Sequence, residues 1–137
     1  MDMGTAFESL NWFAIIGAAA AAFFAGAIWY GPLFGQAWMA DFGFQESDFE
    51  GRNTAKVFGL TFVLNVVMAI NLGMFLGPEA DMVFGIAAGF FTGFGFFAAL
   101  LGVYYLFENR PLRLFLINGG FGVINFTLMG AILGAFK

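Results

Sequence analysis

Glu108, Asn109, Arg110 and Arg113, together with the acids of Asp41–Glu50, are the residues of this chain best equipped for chemistry. A carboxylate can take or give a proton at a reacting group, and a guanidinium can grip a phosphate or carboxylate through paired N–H donors. Little else is on offer. The chain has no His and no Cys, so it lacks the usual general base, the thiol nucleophile, the thiolate metal ligand and any disulfide. A solvated ion cluster that sets membrane topology explains these groups more simply than an active site, and the chain reads as non-catalytic. The aromatic Trp38 and Phe42, brought beside Arg110 and Arg113, would suit the headgroup of an anionic lipid. Five basic residues in all are too few for a nucleic-acid footprint.

The elements that must position these groups are hydrophobic. Four segments, residues 12–30, 57–77, 82–107 and 114–136, contain no Asp, Glu, Lys, Arg or His. Each is long enough to cross a hydrocarbon layer of roughly 30 Å at ~1.5 Å per residue. With 61% hydrophobic residues and a mean hydropathy of +0.88, the 137 residues predict one all-α, four-span membrane domain. No ionisable group sits inside a span, which counts against proton relays and charge-coupled transport. The leader Met1–Leu10 carries Asp2 and Glu8 but no Lys or Arg, unlike a signal peptide, so the first span is expected to be retained.

Between spans, Gly31-Pro32 predicts a helix stop. Residues 33–44 mix aromatics with Gln36 and Asp41 and predict a short interfacial helix, and Gln45–Asn53 belongs in water. The tight turn Gly77–Asp81 makes spans two and three antiparallel neighbours. Arg52, Lys56, Arg110 and Arg113 fall on one side, against Lys137 on the other. Positive-inside bias then places both termini outside a cytoplasmic membrane.

Lipid is as apolar as Leu, so spans must associate by close packing and hydrogen bonds. Gly85, Gly89 and Gly93 line one face of span three, opposite Phe90, Phe91, Phe94 and Phe97. Gly73 and Gly77 close span two, while Gly119, Gly130 and Gly134 mark span four. These stripes fit packing within one chain or between subunits. Four amides lie in the spans and are expected to be buried: Asn65, Asn71, Asn118 and Asn125. Asn65, sharing a face with Thr61, is expected to bond Asn125 at similar depth, and Asn71 to reach span one or three; alternatively the amides line a cavity for a neutral solute or lipid headgroup. The Phe-rich run Gly89–Phe97 suits ring-against-glycine packing, and with no His or charged ligand no cofactor or metal is expected.

The stretches Ile28–Met39 (IWYGPLFGQAWM) and Tyr105–Gly134 (YLFENRPLRLFLINGGFGVINFTLMGAILG), with the Asn11-Trp12 opening, carry a likeness. The chain resembles the DUF1761 family of small bacterial integral membrane proteins. The resemblance implies four transmembrane helices, a bacterial inner-membrane location and no assigned activity. The expectation is a structural or accessory subunit in contact with membrane lipid, assembling as a homo-oligomer or in a larger complex. A small oligomeric transporter or channel for a neutral or lipophilic solute is the alternative.

Overall fold

The computed structural model describes residues 2–137. Helix α1 (Met3–Glu8) precedes α2 (Trp12–Ile28), which runs on through a wide π turn at Trp29–Leu33 into α3 (Gly35–Phe42). A 3₁₀ turn at Glu46–Phe49 leads to α4 (Thr54–Leu76). Then α5 (Met82–Phe91), a π stretch at Thr92–Ala98 and α6 (Ala99–Glu108) form one continuous rod, and α7 (Leu112–Ala135) closes the chain. Among the described residues four helices are long and apolar enough to cross a membrane: Trp12–Leu33, Thr54–Leu76, Met82–Glu108 and Leu112–Ala135. Among the described residues there is no strand.

Asn11, Asn53 and Asp81 each start a span by accepting backbone N–H bonds from the first turn. Gly77 ends α4 with φ +77°, a backbone region costly for any side chain. The first span does not stop at Gly31-Pro32 as its sequence suggests. A proline has no N–H and its ring crowds the carbonyl four residues back. The π turn widens the helix there, and Phe34 N–H donates to Trp29 O at 2.8 Å, five residues earlier.

Span four is the centre of the bundle and the most buried of the four. Spans one, two and four meet around small side chains, with Ala14, Ala18 and Ala22 of span one facing Ala69 and Leu72 of span two and Met129 of span four. Span three packs on the outer side of span four. Spans two and three, expected as neighbours along their length, touch little, because span four's glycines offer span three a closer seat. The start of span one, the end of span four and the Gly77–Asp81 turn share one end of the bundle: Asn11 Nδ2 donates to Phe136 O at 2.7 Å, and Lys137 Nζ to Gly73 O at 3.1 Å.

Candidate functional site

The polar groups converge at the opposite end. Tyr30 Oη donates to Asn118 Oδ1 at 2.5 Å, and Asn118 Nδ2 donates to Tyr105 Oη at 2.6 Å. One level away, Trp29 Nε1 donates to Ile117 O at 2.9 Å. Spans one and three are thus tied to span four from either side. The Phe121 ring packs edge-on against Tyr30, with centroids 5.4 Å apart. Asn118 is half-buried and Tyr105 buried, so these bonds form where water competes weakly.

Just outside lies the charged rim. Arg113 grips Asp41 with two parallel bonds, Nε to Oδ2 at 2.8 Å and Nη2 to Oδ1 at 2.6 Å, clamping α3 to the start of span four. The hydrogen bonds from Arg113 hold the Asp41 carboxyl below its ordinary value. The clamp is therefore complete above that ordinary value and is lost only as pH falls through the lowered one. Arg110 Nε donates to Glu108 Oε1 at 3.2 Å, and its guanidinium lies 4.7 Å from the centre of the Phe42 ring. Trp38 packs edge-on against Tyr30 and Phe42, at 5.9 and 5.4 Å. Each guanidinium already has a carboxylate, so a lipid phosphate at Arg110 or Arg113 would have to displace Glu108 or Asp41.

The four amides take different surroundings. Asn65 is buried and donates Nδ2 to Ala19 O of span one at 3.4 Å; among the described residues no hydrogen bond joins it to Asn125. Span one, with its alanine face, comes close enough to present a backbone carbonyl first. Asn125 is also buried, 5% exposed. Asn71 is not buried: it lies exposed on span two and donates Nδ2 to Val67 O of its own helix at 2.8 Å. It reaches neither span one nor span three, since span three sits against span four.

The glycines of spans three and four lie backbone to backbone. A Cβ on Gly85 would strike the Gly130 carbonyl, one on Gly89 the Phe126 carbonyl, and one on Gly93 Val123 Cα and the Gly122 carbonyl; Gly130 and Gly134 meet the Gly85 and Asp81 carbonyls in return. A four-residue step overshoots the 3.6-residue turn, so this stripe drifts around span three. The π stretch takes up an extra residue, and Ala98, five after Gly93, is again buried.

The model of the family described as "Protein of unknown function (DUF1761)" matches residues 13–134. The chain belongs to the DUF1761 family. No curated protein and no solved structure matches it. Within this DUF1761 chain, sequence reasoning missed Tyr30 and Tyr105 as partners of Asn118. It also passed over the Ala14, Ala18 and Ala22 face, whose four-residue spacing was the available signal.

Proposed function

We propose that the protein is a non-catalytic membrane subunit that assembles with a second copy of itself through the lipid-facing cleft between spans two and three. Asn71 carries this reading. Among the described residues its amide oxygen receives no hydrogen bond, and the residue is exposed in a helix long and apolar enough to cross the membrane. An unpaired polar group in hydrocarbon costs several kcal/mol. An amide holds both a donor and an acceptor, so the same residue across a two-fold axis satisfies it. The cleft, about 500 Å³, has Val67, Met68, Phe75 and Phe96 in its walls, and its other polar side chain, Thr92, donates to Ala88 O of its own helix. Asn65, Asn71 and Asn118 serve different partners, which favours assembly over passage of a solute along one polar path.

In liposomes at graded protein density, single-molecule photobleaching should find wild-type dimers and an Asn71→Leu variant that dissociates about 3- to 20-fold more readily, as one interhelical hydrogen bond implies. A monomeric wild type, or an unchanged variant, would falsify the reading. We also place the Arg110–Arg113 rim in the cytoplasm of a bacterial inner membrane, with both termini outside. The chain has no Cys, so single Ser47→Cys and Glu79→Cys variants can be probed with an impermeant maleimide. Glu79→Cys should label on intact cells and Ser47→Cys only after lysis; the reverse pattern inverts the topology.

A further inference from the structure

A second cleft, about 530 Å³, opens between spans one and two on the other side of span two. Its size is within the ~300–1,000 Å³ common for small-molecule sites. Phe23 and Phe58 meet edge-on at 5.6 Å in its walls, and Phe121 of span four lines it as well. No charged residue lines it. Val57 and Phe58 are exposed, so the cleft faces the hydrocarbon. Anything entering it comes from the bilayer.

Asn65 stands at its deep end, eleven residues from either end of α4 (Thr54–Leu76) and only 7% exposed. Its Nδ2 makes the long bond to Ala19 O, and its Oδ1 receives no donor among the described residues. Every side-chain oxygen or nitrogen that is sealed away among the described residues has a partner, so the unpaired Oδ1 is open to the cleft that Asn65 lines. The other polar side chains there have spent their protons. Thr61 Oγ1 donates to Val57 O at 2.7 Å, and Tyr30 Oη donates to Asn118. The cleft therefore presents acceptors: the oxygens of Asn65, Thr61 and Tyr30, with one spare N–H on Asn65.

We infer that this cleft binds a lipophilic alcohol from the membrane, its hydroxyl donating to Asn65 Oδ1 and its apolar body lying among Phe23, Phe58 and Phe121. The chemistry selects the class. A bare acyl chain leaves an amide oxygen unpaired at mid-bilayer depth, at several kcal/mol. An ester, ketone or ether brings another acceptor to a site already rich in them. An anionic lipid would bury its charge where nothing neutralises it. A hydroxyl supplies the missing proton and accepts the spare Asn65 N–H. This site is separate from the Asn71 cleft, and either reading can fail without the other.

The test is native mass spectrometry of the full-length protein released from detergent micelles, with 1-hexadecanol and hexadecyl methyl ether as probes. Wild type should retain the alcohol about tenfold over the ether, the scale of one hydrogen bond in a dry site. Asn65→Leu should retain both equally. Ala27→Phe, which fills the cleft from a lining position, should lose both probes, and it carries the test if Asn65→Leu does not fold. Equal retention of alcohol and ether by wild type means that water or an acyl chain satisfies the site and overturns the inference. Undiminished hexadecanol retention by Ala27→Phe overturns it as well.

Discussion

Gly89→Val should be among the most damaging single substitutions in this protein, lowering the melting temperature in detergent by roughly 10 °C, as overpacking by about 3 kcal/mol implies. The obstacle is backbone. The new Cβ would meet the Phe126 carbonyl and Thr127 Cα, and neither can rotate away as a side-chain tip would. Spans three and four would have to move apart, undoing the paired approaches at Gly85–Gly130 and Asp81–Gly134 together. Lipid supplies no hydrophobic drive to bring them back, because association here rests on close packing. Gly95→Val is the matched control: it lies in the same span, adds the same side chain, and a Cβ there meets nothing within 4 Å. Its melting temperature should stay near wild type. If the two variants melt together, the glycine contact contributes nothing of its own, since Val is no worse a helix former than Gly.

The contrast between Gly89 and Gly95 also marks how far the sequence could be read. Four spans were legible because hydropathy over some twenty residues is a bulk property that local detail cannot reverse. The face carrying Gly85, Gly89 and Gly93 was legible from helical periodicity. Its partner was not, since glycines in spans two and four were equally eligible. The π stretch at Thr92–Ala98 left no sequence sign, because it answers a drift that appears only once span three is laid along span four. Pro32 misled in the opposite direction. A proline excludes a regular α-helical turn but not a wider one, and the chain used the wider one to continue into α3.

The amides show a different limit. Spacing places Asn65 and Asn125 on definable faces and at similar depth, yet a hydrogen bond is decided at the scale of one ångström. Asn65 found the nearer acceptor, a backbone carbonyl that no residue type advertises. Asn71 was expected inside because polar residues in spans usually are; it lies outside because span three lays its Gly85, Gly89 and Gly93 face against span four. In the fold, Tyr30 and Tyr105 approach a single side chain of span four from two sides, a shared task that pattern alone does not reveal.

That shared side chain is the second place where one substitution should matter greatly. Asn118→Leu strands two hydroxyls at once: Tyr30 loses its acceptor and Tyr105 its donor. Each stranded group costs about 1–3 kcal/mol in a dry site, while bonds of this kind in membranes average only about 0.6 kcal/mol. The two figures bracket the outcome, and a loss of about 2 kcal/mol is expected in steric-trapping or thermal-melting measurements. Tyr30→Phe and Tyr105→Phe should each cost less, because Asn118 keeps one partner. The decisive comparison is the triple variant Tyr30→Phe/Asn118→Leu/Tyr105→Phe. Removing every partner of a buried network is nearly neutral, whereas removing one is not. The triple should therefore be more stable than Asn118→Leu alone, and the reversal is a signature that packing loss cannot imitate, since the triple removes more atoms. Were the triple instead the weaker protein, the cluster would be holding the spans by shape, with the hydrogen bonds incidental to it.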